Sequence, residues 1–312
     1  DFLRLRSNLM KIGAAIFSGL RPVLAICVFA ALGGTAQAAS SELPIAIVDK
    51  AKFQIHLANY RNGPGINNLE IFKTYKVTLG KNSGDKMLEG DQKTPEGIDR
   101  FTTKYLAPQL KKKFGAMAFY VDYPNSLDRR DKKTGFDIML HSTDDPARLE
   151  RDQDSDGCIV VDDERIKEIA NYIHTPFTTL LIFDEMKPEY LQTESTGDLK
   201  KVFDAWLAAW GSKDIETYIG SYAKDFKMDQ MNRDQYRAYK DSLNRKYETI
   251  DVKATDARFF RHPKYDMVTF TQEYSSTFKG GRKAFVARGQ KRLYFVREDG
   301  VPKIYSEEIS RR

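Results

Sequence analysis

Ser155-Asp156-Gly157-Cys158-Ile159-Val160-Val161, with Leu140-His141-Ser142-Thr143 shortly upstream, is the stretch on which the reading of this 312-residue chain turns. The chain has two cysteines, Cys27 and Cys158. Cys27 lies in an apolar N-terminal run that reads as a leader, so Cys158 is expected to be the one thiol of the mature protein. A lone thiol in an exported protein closes no internal disulfide and is a candidate reactive group. It becomes a nucleophile when a base takes its proton or an electropositive site holds the thiolate, and histidine is the usual base. His141 follows the apolar run 136–140 and so stands at a strand end, while Cys158 follows a loop rich in Asp, Ser and Gly. Two such positions can meet at one rim of a sheet. Gly157 lets the backbone approach closely, and the N–H groups of Gly157 and Cys158 are candidates for an oxyanion site. The alternative is a buried, inert cysteine with an unrelated histidine.

The leader has three parts. Arg4, Arg6 and Lys11 form a basic start, Pro22 to Leu32 an apolar core, and Ala36-Gln37-Ala38 a small-x-small cleavage pattern. Residues 1–38 are therefore expected to be a cleaved signal peptide, with Met10 a candidate start. The apolar core falls short of the roughly 20 residues of a membrane span. The mature protein is expected to be periplasmic, which excludes nucleic acid as a partner. A formal net charge of +6, part of it in the leader, suits an anionic wall polymer, although most such charges are solvated surface. Four scattered histidines and one thiol lack ligand spacing, so neither a metal nor a cofactor is expected.

A polar stretch at 187–198, carrying Pro188, Ser195 and Gly197, reads as a linker between two domains. Before it, at 43–186, alternation predicts half-buried strands at Ile45/Ile47, Phe53/Ile55/Leu57 and 75–79. Further strands are predicted over 116–121, 136–140 and 177–183, a turn-rich stretch over 80–97, and one helix over 162–173. After the linker, at 199–312, Val202, Phe203, Trp206 and Trp210 share a helical face. Helices there give way to four strand-like segments over 250–260, 267–278, 284–296 and 301–308. The expected fold is a mostly β domain followed by an α+β domain with helices against an antiparallel sheet. His262 and Asp266 read as a turn.

The first domain resembles the L,D-transpeptidase (YkuD) catalytic domain. The family signature of His, spacer and Ser/Thr-x-Gly-Cys falls on His141, Ser155, Gly157 and Cys158, and a second element stands intact as Gly90-Asp91-Gln92-Lys93-Thr94-Pro95-Glu96-Gly97. The resemblance implies a β-sandwich with a short helix and a cysteine enzyme of peptidoglycan. Cys158 would attack meso-diaminopimelate of a stem tetrapeptide, D-Ala would leave, and a thioester would form. His141 would serve as base and then acid. A backbone carbonyl next to the His, here that of Ser142, would orient the ring, with the Ser142 hydroxyl as a further aid. The second domain resembles the NTF2-like fold, through Phe203, Trp206, Trp210, Asp214, Tyr218 and Tyr222. The pairing of the two resembles the cell-shape-determining L,D-carboxypeptidases of helical bacteria. That domain is expected to meet wall fragments, a wall protein or a second copy of the chain, its aromatic stripe forming core.

Departures from the family pattern bear on the acceptor. Cross-linking members carry His-Gly-Cys, then an apolar residue and Arg or Asn; here Asp156 precedes Gly157, and Val160 stands where Arg or Asn is usual. Asp156 would raise the thiol pKa, with Arg148 or Arg151 to offset it. Loss of the polar residue favours water as acceptor, hence L,D-carboxypeptidase trimming of tetrapeptide to tripeptide. The alternatives are an L,D-transpeptidase and, from another class, a non-catalytic wall-binding scaffold. Tyr123-Pro124-Asn125-Ser126-Leu127-Asp128-Arg129 is similar to a segment of a hydrolytic branch of the family. Tyr123, Arg129, Arg130, Ser155 and Asp156 are therefore the expected substrate contacts, the arginines as bidentate carboxylate clamps.

Overall fold

The computed structural model describes residues 43–63, 66–192 and 196–311. The expected leader lies outside the described residues. The first strand is β1 (Ile45–Asp49), which pairs with β2 (Gln54–Gly63), and β2 pairs in turn with β3 (Ile66–Lys76). After β4 (Leu79–Gly80) come β5 (Gly97–Leu106), β6 (Met117–Val121) and a short helix α1 (Ser126–Arg130). Next are β7 (Met139–His141), β8 (Gln153–Ser155), β9 (Ile159–Val160), helix α2 (Asp163–Ile169) and β10 (Thr179–Phe183). They build an eight-stranded sheet in the order β3-β2-β1-β10-β5-β6-β7-β9, with β4 and β8 as a separate pair. The mostly β character stands as the sequence predicts.

The half burial expected of β1 from its alternation is not found: every residue of the strand is buried. Ala46, Val48, Leu180 and Ile182 enter one core, with Leu140, Ile159 and the α2 residues Ile166 and Ile169. Ile45, Ile47, Leu181 and Phe183 enter another, completed by Phe260, Tyr265, Met267 and Tyr294 from beyond the linker. Both faces of the sheet centre are therefore dry, which explains the unbroken apolar runs Ile45–Val48 and Leu180–Phe183.

Beyond the linker, α3 (Gly197–Ser212), α4 (Ile215–Gly220), β11 (Lys227–Met228), β12 (Met231–Asn232) and α5 (Arg233–Lys246) precede a long antiparallel sheet. That sheet runs β13 (Thr249–Arg261), β14 (Asp266–Thr277), β15 (Lys283–Glu298), β16 (Val301–Arg311), each strand beside the next. This is the expected α+β arrangement. The aromatic stripe is core: Phe203, Trp206 and Trp210 pack with Tyr218, Tyr222 and Phe270. Trp206 Nε1 donates to Tyr222 Oη at 2.9 Å, because a buried indole N–H must find an acceptor.

Polar contacts join the two halves of the molecule. Tyr60 Oη accepts from the Phe259 N–H at 2.7 Å, and His262 Nε2 donates to the Ile182 carbonyl at 2.9 Å. Arg292, 4% exposed, is ion-paired with Asp122 on one side and Glu308 on the other. His262 thus belongs to a turn, as expected, but a buried one.

Candidate active site

Strand pairing fixes where the two key side chains lie. β7 and β9 run parallel, with Leu140 opposite Ile159 and His141 opposite Val160. Paired residues project to the same face and successive residues alternate. Leu140 and Ile159 enter the core, so Cys158, one residue before Ile159, projects to the face that His141 occupies. β9 is clamped from its other side, Thr78 and Val160 exchanging N–H···O bonds of 2.9 Å. Val160 is fully buried, so the position where an Arg or Asn is usual presents no polar group.

The turn before Cys158 needs glycine. Gly157 has φ +124°, and a Cβ there would stand 2.6 Å from the Lys93 carbonyl oxygen and 3.1 Å from Ile138 Cδ1. The second sequence element thereby explains itself: its backbone forms the floor under the cysteine turn. Ser155 Oγ accepts from the Gly157 N–H at 3.1 Å and donates to the Cys158 carbonyl at 2.6 Å. Ser155, expected as a substrate contact, is 2% exposed, and its hydroxyl is engaged in closing the turn. The Gly157 N–H, an expected oxyanion donor, is engaged by that hydroxyl.

His141 is almost wholly buried and packs edge-on against Phe114, ring centroids 4.9 Å apart. Its Nδ1 lies 2.5 Å from the Ser142 carbonyl oxygen. A carbonyl only accepts, so Nδ1 carries the proton and Nε2 is left as the acceptor. Burial lowers the imidazole pKa to about 4; the Ser142 carbonyl opposes that shift, and Arg148 and Lys113 add to it. The ring is neutral at pH 7. The Ser142 hydroxyl does not touch it: Oγ accepts from the Ala116 N–H at 2.8 Å and holds the 114–116 turn.

Cys158 is partly exposed, and its thiol donates to the Asp137 carbonyl at 3.5 Å. Burial pushes the thiol up to about 11; the Met139 backbone, Arg148 and Lys113 pull it down, while Asp156 pushes it further up. Asp156 itself is exposed and paired with Lys81 at 2.9 Å and Gln92 Nε2 at 3.1 Å. Lys81, not the arginines, is its counter-ion, and contact with Lys81 holds its carboxyl below the usual range. Arg148 and Arg151 pair with Asp154 instead, at 2.9 and 3.4 Å. Sequence reasoning missed Lys81, Gln92 and Lys113, which no linear spacing connects to Cys158.

Three other expected contacts lie elsewhere. Tyr123 is buried, its hydroxyl donating to the Lys86 carbonyl at 3.0 Å. Arg130 on α1 donates to the Tyr305 and Asp225 carbonyls and stacks on the Tyr305 ring at 3.5 Å. Arg129 donates to the Pro124 carbonyl and lies 4.0 Å from Glu308. Both arginines face the C-terminal half because α1 packs on β16.

A separate cavity of about 630 Å³ opens in the C-terminal half, lined by Trp210, Tyr236, Tyr239, Lys240, Lys291 and Glu307, among others. Burial lowers Lys240 to about 7, with Lys291 acting the same way and Glu307 against it. Among the described residues no three His, Cys, Asp or Glu side chains gather as a metal site, and no helix is long and apolar enough to cross a membrane.

Comparison with known proteins matches this architecture in both halves. Residues 44–182 match the L,D-transpeptidase catalytic domain (YkuD), and residues 198–308 the Cds6 C-terminal NTF2-like domain. The solved structure of Bd1075 from Bdellovibrio bacteriovorus is 30% identical, with a TM-score of 0.71 over 87% of this chain and 93% of that one. The helical cell shape determining protein Pgp2 from Campylobacter jejuni is 23% identical, with a TM-score of 0.65 over 85% and 91% of the two chains. No curated protein matches the chain. By domain match and by likeness along most of its length, the chain belongs to the L,D-transpeptidase (YkuD) family, in the architecture that ends in an NTF2-like domain.

Proposed function

We propose that this protein is a periplasmic cysteine enzyme that trims peptidoglycan stem tetrapeptides to tripeptides, an L,D-carboxypeptidase, and so influences cell shape. The reading is supported by the register of β7 and β9, from which Cys158, next to β9, is inferred to project toward the face of His141, and by the Ser142 carbonyl on Nδ1, which leaves Nε2 as the acceptor. As the sulfur attacks the meso-diaminopimelate carbonyl, His141 Nε2 takes the thiol proton. An S–C bond forms, the C–N bond to D-Ala breaks, and the proton passes to the leaving amine. Water then adds to the thioester carbonyl while the same nitrogen takes its proton; the C–S bond breaks and that proton passes to the departing sulfur. The Cys158 N–H is the oxyanion donor in this scheme, since that of Gly157 is engaged by Ser155. Water is favoured as acceptor because Val160 is buried and offers no group to a second peptide. The cavity lined by Trp210, Tyr236, Tyr239 and Lys240 supports a role for the C-terminal domain in holding a wall fragment. The cell-shape name of the Campylobacter protein supports the physiological part.

The test is incubation of the full chain with disaccharide-tetrapeptide, with products separated by mass. Tripeptide and free D-Ala are expected, and both should vanish in Cys158→Ala. Cross-linked dimer without tripeptide would make the protein a transpeptidase; no product from the wild type would defeat the enzyme reading.

A further inference from the structure

The turn between β13 and β14 reaches from the C-terminal domain into the segment that floors the cysteine turn. Lys264 Nζ lies 2.5 Å from Asp85 and 3.0 Å from Glu96. Tyr265 Oη accepts from the Ile98 N–H at 2.7 Å, and a Cβ on Gly97 would stand 2.6 Å from that oxygen. Glu96 therefore sits between two cations, because Lys50 Nζ contacts its carboxylate at 2.7 Å. The Lys50 ammonium also donates to the Thr94 carbonyl at 3.0 Å and the Gly84 carbonyl at 2.6 Å. Asp85 closes the loop by accepting from the Glu96 N–H at 2.8 Å, and Lys133 bridges it to Asp128 at 2.8 Å on each side. Next to Thr94 is the Lys93 carbonyl on which Gly157 rests, and Gly157 precedes the nucleophile.

We propose that Lys264 and Tyr265 are positioning residues for Cys158: the C-terminal domain clamps segment 85–98, and through the Lys93 carbonyl sets the height of the cysteine turn. The inference rests on the enzymatic reading above, and it gives the second domain a part in the chemistry that any ligand in its own cavity does not supply. Glu96 lies between the Lys50 and Lys264 ammonium groups, so removing either cation would leave a buried charge short of a partner, which holds the clamp in one geometry. A misplaced nucleophile loses rate steeply even where substrate binding is little changed.

The experiment uses the full chain with Lys264→Met, Lys264→Arg and Tyr265→Phe, and Lys279→Met as a control on the same domain. Two rates are read on folded protein: turnover of disaccharide-tetrapeptide, and alkylation of Cys158 by iodoacetamide. Lys264→Met is expected to lower kcat about tenfold with KM within about twofold, and to change the alkylation rate by several-fold. Lys264→Arg should restore most of both, and Tyr265→Phe should move them the same way as Lys264→Met if the latter folds poorly. A lowered melting temperature with both rates unchanged would overturn the proposal. Should the wild type turn over no peptide, the enzymatic reading fails by itself, and the alkylation rate still decides whether the clamp positions the sulfur.

Discussion

In the resting protein the proton belongs on sulfur, not on the imidazole. Burial pushes Cys158 up to about 11 and holds His141 down at about 4. At pH 8 about one thiol in a thousand is then ionised, against about one in ten for a thiol at its ordinary value near 9.0, a hundredfold difference. Alkylation by iodoacetamide, which needs the thiolate, should rise with pH and reach no plateau below about pH 10. It should also run well below the rate of a free thiol at neutral pH. Turnover has a different requirement, because it draws the proton across during attack. It needs only that His141 be neutral, so kcat/KM should hold level from about pH 5 upward, without an inflection near 6.5. His141→Gln should remove about 10²–10⁴ of the rate while leaving the alkylation profile nearly in place. The assay is a pair of profiles on one preparation, alkylation by mass and turnover by release of D-Ala. An alkylation plateau between pH 6 and 7, matched by thiolate absorbance in the ultraviolet, would mean a preformed thiolate–imidazolium pair and refute the argument.

Three other outcomes follow from geometry. Gly157→Ala puts a methyl group against the Lys93 carbonyl at φ +124° and should cost on the order of 2–4 kcal/mol in urea unfolding; wild-type stability would contradict the close approach. Burial depresses His141 and His262 from 6.5 to about 4, so each contributes stability that is complete above pH 6.5 and lost as pH falls toward 4, about 3 kcal/mol apiece. His262→Gln, measured by urea unfolding across that window, should flatten the acid loss by about its own share, and an unchanged slope would refute the assignment. Arg292→Met leaves Asp122 and Glu308 without their shared buried cation and should cost about 3–5 kcal/mol, whereas exposed Arg129→Ala should stay within about 1 kcal/mol, both by urea unfolding.

The cysteine turn was legible because its determinants are local: a glycine, a serine and a strand on either side. His141 was legible because an apolar run precedes it, although the strand itself is only Met139–His141. Asp137 adopts φ +57° and Phe136 is 64% exposed, so the predicted strand start is a loop. β3 escaped notice because Asn67 and Asn68 interrupt its alternation, and β5 because it follows directly on the turn-rich stretch. The long strands after the linker were predicted to within a few residues. Tyr123, Arg129 and Arg130 look like a binding segment in one dimension, but Tyr123 is buried with its hydroxyl on the Lys86 carbonyl, the docking of α1 on β16 takes Arg130 to the Tyr305 ring, and Arg129 stays exposed. At Ser155, a hydroxyl two residues before a glycine can close a turn as readily as it can meet a ligand.

The apolar face of Ile45, Ile47, Leu181 and Phe183 has a practical bearing on genetics. A stop codon in the linker would strip away Phe260, Met267 and Tyr294 and leave that oily surface bare in a half-molecule. A truncated allele would therefore score as a folding failure or an aggregate, and its phenotype would say nothing about what the missing domain recognises. Point changes inside the intact chain are the only fair way to ask that question.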